Sequence, residues 1–327
     1  MVGEEETRMN HVNLEKDKTT LMKRFKEKKV VKRCKSDMVF DAVNFVILTF
    51  IFFIVAYPLY FVIISSISSP AAVAAGQVTW APVGINLEGY IAVLKDESIV
   101  RGFINSLIYT VVGVGVNLLV TIPTAYALSR DDFYGRKIIT IFYMLTMFVS
   151  GGLMPTYLVV QQMGMINTMW ALIVPGAISV FNMIVARTFF KTNIPQELLD
   201  AAKVDGCGNT RFFFYVCLPL SGAIIAILVL YYGIGHWNSY FNALIYMTDR
   251  DTWPLQLVLR TIFSQNSLMQ QIPVTTKEAM LEKQRLEQLA ELMKYSLIVI
   301  SSIPVMILYP FVQKHFVKGV TLGSVKG

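Results

Sequence analysis

Charge is scarce in this chain. Of its 327 residues only 16% are Asp, Glu, Lys or Arg, 54% are hydrophobic, and mean hydropathy is +0.54. A soluble domain carries about 25% charged residues. So little charge excludes a disordered chain, collagen and a coiled coil, each of which needs a polar or strictly periodic composition. Cysteine is scarcer still. Cys34, Cys207 and Cys217 are too few and too scattered for a disulfide scaffold, and with three His they make no metal site. No Gly-Lys dipeptide occurs, so ATP hydrolysis on a phosphate-binding loop is excluded. No HExxH, Ser/His/Asp set or paired-Cys spacing is present, which leaves an enzyme of the membrane without catalytic groups.

What is present is long apolar runs. A spanning helix needs about 20 mostly apolar residues. Six stretches qualify: Ala42–Ile67, Gly102–Leu128, Ile138–Val160, Met169–Phe190, Leu220–Met247 and Met293–Phe316. None alternates apolar and polar residues as barrel strands do. The first follows 41 residues and lacks a small-residue cleavage site, so it does not read as a signal peptide. The expected fold class is all-α, a polytopic membrane protein with six transmembrane helices.

Lys and Arg set the orientation. With the N-terminus inside, the inner segments hold 21 of them and the outer segments 8. Both termini are therefore expected in the cytoplasm. Residues 1–37 carry 11 Lys/Arg and 7 Asp/Glu and read as a basic cytoplasmic tail. Within it Leu14–Arg33 reads either as a basic amphipathic helix on the anionic leaflet or as a tail that only fixes topology. Residues 38–327 are the transmembrane domain. Its features are a loop at 191–219, an outer loop at 248–292 and a cytoplasmic C-terminal tail at 317–327. Thr275–Lys294 is a good helix former expected to run straight into the sixth span.

Charge is absent where an ion-driven carrier would need it. No charged residue lies between Ile138 and Ala186, and the interiors of the other spans are also free of them. Intramembrane charges mark ion coupling and voltage sensing. A secondary carrier or channel is thus the weaker reading, and energy for uphill transport must come from a partner. His236 is the titratable group inside a span and reads as an interfacial hydrogen-bonding residue rather than a proton relay. Gly113, Gly115, Gly233 and Gly235 read as close-packing positions rather than a gate.

The segment joining spans four and five is more than a loop. Asn193 can cap a helix start, and Pro195 is tolerated in a first turn. Glu197 and Asp200 sit near the positive helix end. Leu198, Leu199, Ala201, Ala202 and Val204 give an apolar surface, and Gly206 can stop the helix in the left-handed conformation. Asn209 or Thr210 can cap the next helix, which Phe212, Phe213 and Phe214 return to the membrane. A short cytoplasmic helix is thereby offered to a soluble partner.

This segment resembles the EAA loop of binding-protein-dependent ABC importers. That pattern is Glu-Ala-Ala, three residues, Gly, nine residues, Ile, one residue, Leu-Pro. Asp200-Ala201-Ala202, Gly206, Val216 and Leu218-Pro219 keep every spacing, with Asp for Glu and Val for Ile. Asn105-Ser106-Leu107, Pro123, Ala125 and the ending Phe316–Gly327 are similar to MalG-like permease subunits of carbohydrate importers. Gly151-Gly152-Leu153-Met154-Pro155-Thr156-Tyr157-Leu158 and Arg187–Phe190 are similar to the LplC/YtcP-type branch, associated with aldouronates and other complex oligosaccharides.

The resemblance implies a type I ABC importer permease fold in a bacterial inner (plasma) membrane. Implied partners are a second homologous permease, two copies of a cytoplasmic ATPase subunit, an extracytoplasmic solute-binding protein, an oligosaccharide and the bilayer, with no nucleic acid. ATP and Mg would be bound by the ATPase subunits, and no cofactor by this chain. Glu197, Asp200, Ala201, Ala202, Asp205, Gly206 and Pro219 would form the coupling site. The tail with Gly319, Gly323 and Lys326 would reach the ATPase interface. The outer loop would contact the binding protein. The same fold serves other solutes, such as amino acids, phosphate or polyamines, but the long fifth outer loop and the Lys-Gly ending favour sugar.

Sugars are held by aromatic faces and by amide or hydroxyl hydrogen bonds. Within the spans Asn117, Tyr157, Asn182, Tyr231, Trp237, Asn238, Tyr240 and Asn242 are the candidates. Each Asn can equally bond a neighbouring helix. The cluster at 237–242 is the leading choice for a sugar contact.

Overall fold

The computed structural model describes residues 35–269 and 277–323. The amphipathic reading of Leu14–Arg33, and Lys326, fall outside the described residues. The chain divides into two units, Met1–Leu59 and Tyr60–Gly327. Among the described residues the regular structure is helical, with no strand.

Three helices are long and apolar enough to cross a membrane as single rods. They are α1 (Lys35–Ser66), α4 (Glu97–Ser129) and the stretch Lys283–Pro310 of α15 (Lys277–Gly323). The last continues unbroken from the outer-loop helix foreseen at Thr275–Lys294. Short helices α2 (Pro70–Ala74) and α3 (Glu88–Lys95) lie between α1 and α4. Along Met38–Leu59 large apolar side chains such as Phe40, Phe45 and Phe53 stay exposed, a surface that water does not tolerate.

The other three spans are broken. The third comprises α5 (Arg136–Phe148) and α6 (Leu153–Gln162), bent by 115°. At the bend Gly152 has φ 84° and ψ 175°, a region open to glycine almost alone. The fourth comprises α7 (Trp170–Ile173) with the 3-10 turn Val174–Gly176, then α8 (Val180–Asn193), bent by 51°. Pro175 sits in that turn. The fifth runs from Asn209–Leu220 into α12 (Gly222–Trp237) at 77°. Within its first part are α10 (Asn209–Phe212), a π turn (Phe213–Cys217) and α11 (Leu218–Leu220). The span ends at Trp237 rather than Met247, because Asn238 closes the helix and a separate α13 (Phe241–Tyr246) follows. Counted as one span each, the bent pairs make up the six spans.

A break inside lipid exposes backbone groups that no water can satisfy. Neighbouring spans supply the partners. Asn117 on α4 is fully buried, and its amide donates to the Gly176 and Ala177 carbonyls at 2.7 and 2.8 Å. Its oxygen meets His236 Nε2 at 2.6 Å. Tyr232 Oη accepts from the Ser179 N–H at 3.1 Å and pairs with Thr121 Oγ1 at 2.7 Å. His236 therefore ties α12 to α4. It fits there because position 113 has no side chain: a Cβ on Gly113 would lie 2.5 Å from its ring. The close-packing reading holds at Gly113, whereas Gly115 and Gly235 face open space.

A Gly113→Ala variant should displace His236 and strip Asn117 of a partner, costing about 1–3 kcal/mol. Gly115→Ala should cost nothing measurable. Thermal denaturation of the two variants in detergent, beside the parent, checks the contrast.

Candidate functional site

The motif segment forms α9 (Gln196–Val204). Pro195, not Asn193, occupies the N-cap position, and its fixed φ of −65° starts the helix without a side-chain cap. Asn193 ends α8 instead. Gly206 has φ 74°, so the helix stops as the left-handed reading required. The Gly206 N–H bonds the Lys203 carbonyl and the Cys207 N–H bonds that of Ala202. The second helix also lacks a side-chain cap, with Gly208 in place of Asn209 or Thr210 at its N-cap.

The faces of α9 are unequal. Leu199 is fully buried in a core with Leu128, Phe190, Ile194 and Phe212, and Ala202 packs partly against it. Of the proposed apolar surface, Leu199 and Ala202 thus point inward. Glu197, Leu198, Asp200, Ala201, Val204 and Asp205 are exposed, Val204 at 89%. Asp200 accepts a hydrogen bond from Gln196 at 3.2 Å. Beyond the turn Phe212 and Phe213 are buried while Phe214 is 57% exposed. Pro219 is exposed. It lacks the N–H that would bond the carbonyl four residues back, and the preceding turn widens to π geometry.

This end is tied to α4 by side chains that sequence reading missed. Arg187 Nε donates to the Leu128 carbonyl at 2.9 Å. Arg130 is buried, and its Nη2 donates to the Ile194 carbonyl at 3.4 Å, just before α9. Its Nε and Nη1 are buried without a partner. Lys203 reaches Asp132 at 3.3 Å, an exposed pair worth little. Arg136 bonds the Arg130 carbonyl and pairs with Asp131, holding that carboxyl below its ordinary value.

At the other end of α4 a second cluster of bonds fixes the chain before α14 (Leu255–Met269). Arg101 pairs with Asp251. Asn105 donates to the Asp251 and Trp253 carbonyls, Tyr109 to that of Thr252, and Ser106 Oγ accepts from the Leu255 N–H at 2.8 Å. A groove of about 540 Å³ opens beside α14, lined by Tyr240, Gln256, Leu259, Arg260, Phe263, Ser264, Ile298 and Ser301.

The predicted sugar contacts divide there. Trp237 is buried and donates from Nε1 to the Ser301 carbonyl at 3.0 Å. Tyr157 stacks on Tyr246. Asn238 bonds the Ile234 carbonyl of its own helix. Asn117 is committed to backbone and His236. Asn182 is buried at the start of α8, and Asn242 is exposed on α13. Tyr231 is half-exposed against Phe181. Of the cluster at 237–242, Tyr240 alone lines the groove.

Residues 89–322 match the family described as binding-protein-dependent transport system inner membrane component. The chain belongs to that family. It is similar to Protein LplC of Bacillus subtilis, 37% identical over 293 residues, 90% of this chain and 97% of that protein. It is also 37% identical to the polygalacturonan/rhamnogalacturonan transport system permease protein YtcP of B. subtilis, across 88% of this chain and 98% of that one. A solved bacterial ABC transporter involved in import of the acidic polysaccharide alginate has a chain that superposes with a TM-score of 0.77 at 31% identity. The match covers 87% of this chain and 99% of that one.

The chain is therefore an inner-membrane transport subunit and not an enzyme. Membership implies a solute-binding protein, an ATPase and a second permease as partners. Among the described residues no group of three His, Cys, Asp or Glu is placed to hold a metal. The chain presents one exposed helix, seated on a buried leucine, at one end of α4, and a lined groove towards the other.

A Gly206→Ala permease should lose about 1 kcal/mol, because the added Cβ meets no atom but must sit at positive φ. Gly208→Ala, at φ −72° and also in open space, should be neutral. Thermal unfolding of both variants in detergent checks this.

Proposed function

We propose that this permease carries an oligosaccharide, with uronate-containing chains as the leading candidates, by ATP-driven alternating access. The observation that carries the proposal is α9, a motif-bearing helix presenting an exposed face of mixed polarity while Leu199 and the arginine ties hold it to two spans. In this reading α9 is the coupling helix and lies on the cytoplasmic side, with both termini. It sits in a cleft of an ATPase subunit. Closure of an ATPase pair moves it as a lever. Glu197, Asp200, Ala201 and Asp205 make the contact, Gly206 and Pro219 set its shape, and Ala202 seats it. The C-terminal tail at 317–327, with Gly319, Gly323 and Lys326, reaches the ATPase interface.

The assembly is a heterodimer of this chain with a homologous permease, two ATPase subunits that bind ATP and Mg, and an extracytoplasmic binding protein. The segment 248–292 faces that binding protein. The names of the relatives support a sugar, since they speak of polygalacturonan, rhamnogalacturonan and alginate. A non-sugar solute is the second reading, supported by the breadth of the fold alone.

Asp200→Arg and Ala201→Trp, both on the exposed face, should leave membrane insertion intact and lower both co-purification of the ATPase and ATP-driven uptake by about tenfold or more. Uptake at the parent rate in both variants would sink the coupling assignment. Proteoliposomes loaded with the purified complex and its binding protein, assayed with labelled oligosaccharides, provide the readout.

A further inference from the structure

The one charge on α14 is out of keeping with its helix. Leu255–Ser264 is an apolar stretch, and Leu255, Leu257, Val258 and Leu259 are buried in the cores. Arg260 is exposed on the opposite side, within the groove. Ile298 and Ser301 of the same groove lie within the sixth membrane span, and Tyr240 closely follows the end of the fifth. An arginine beside spanning helices is costly unless it faces a cavity or an anion. Here it faces a cavity. Among the described residues no carboxylate pairs with it, and α14 contains no Asp or Glu. Its guanidinium lies 4.8 Å from the centre of the Tyr240 ring, which orients it without neutralising it.

Besides Arg260 the lining mixes apolar Leu259, Phe263 and Ile298 with groups of the kind that bind saccharides. Tyr240 supplies an aromatic surface, Gln256 an amide, and Ser264 and Ser301 hydroxyls. A volume near 540 Å³ falls within the roughly 300–1,000 Å³ of small-ligand sites. Ser106 and Asn105 anchor the chain at the start of α14.

We propose that this groove is a binding site for an acidic sugar residue, with Arg260 taking the carboxylate and Tyr240 and Gln256 taking the ring and its hydroxyls. The proposal rests on the saccharide reading above and assigns the residues that take the uronate's charge and ring. A planar guanidinium binds a carboxylate through two parallel hydrogen bonds, which a methyl ester cannot accept with the same strength.

The test is a calorimetric titration of the purified complex, this chain with the subunits that co-purify with it, in nanodiscs of zwitterionic lipid. The probes are trigalacturonate and its fully methyl-esterified form. The parent complex should bind the acid about tenfold tighter than the ester. Arg260→Gln should erase that preference, weakening acid binding about tenfold more than ester binding, while Arg260→Lys should keep part of it. Retention of the preference in Arg260→Gln overturns the site. Equal loss of both probes in Arg260→Gln and Arg260→Lys also overturns it, as a packing role. Loss of acid binding on adding phosphatidylglycerol would assign Arg260 to a lipid headgroup and overturn it too. The saccharide reading is tested apart: a parent complex with its binding protein that takes up neither acid nor neutral oligosaccharides fails that reading, whereas an Arg260→Gln defect confined to acid uptake leaves it standing.

Discussion

Three of the six spans are broken, and in lipid each break must find its hydrogen-bond partners within the protein. Asn117 meets that constraint at the break in the fourth span. Its amide takes two carbonyls there and its oxygen takes His236 from the fifth span, so one side chain holds three spans. Tyr232 and Thr121 complete the same knot. With no net hydrophobic drive between helices in lipid, such bonds and close packing are what fix helix positions. Gly113 is the packing counterpart, since the His236 ring fills the space its missing side chain leaves.

From that knot α4 extends in both directions and meets a working part at each end. Near one end Arg101, Asn105, Ser106 and Tyr109 grip residues 251–255 and aim α14 along the groove. At the other, Leu128 and Arg130 meet α8 and the start of α9. Leu199 then buries α9 in the same core as Leu128 and Phe190. A buried leucine is worth about 2–5 kcal/mol against alanine, far more than the exposed Lys203–Asp132 pair. Packing therefore seats α9 against the ends of α4 and α8. The two unpartnered nitrogens of Arg130 sit at that joint.

Much of this was legible beforehand. Hydropathy located all six spans, and the spacing from Asp200 to Pro219 pointed to the family to which the chain belongs. Gly206 took the conformation its position demanded, and the helix at 277 ran into the last span. The bends were not legible, because a hydropathy window sums composition and carries no direction. Gly152 marked one of them, yet a glycine in an apolar run reads equally as packing. Capping was misplaced at Asn193 and Asn209, since Pro195 and Gly208 start their helices by backbone shape alone. Asn117 and Trp237 had the chemistry of sugar contacts but are committed to neighbouring backbone. Arg260 was counted only as a topology charge. It lies twenty residues from Tyr240, with α13 and a 3-10 turn between them, and no local pattern encodes their meeting.

Taken together, these ties make the end carrying α9 one rigid body with α4. Spin labels at Lys203 and Leu119, both exposed, measure this directly by pulsed dipolar spectroscopy in the assembled transporter. The distance between them should stay the same with and without ATP, while the distance from Lys203 to the partner permease changes. A change between Lys203 and Leu119 comparable to a helical turn would contradict the account, because α9 would then move by itself rather than as a lever on the spans.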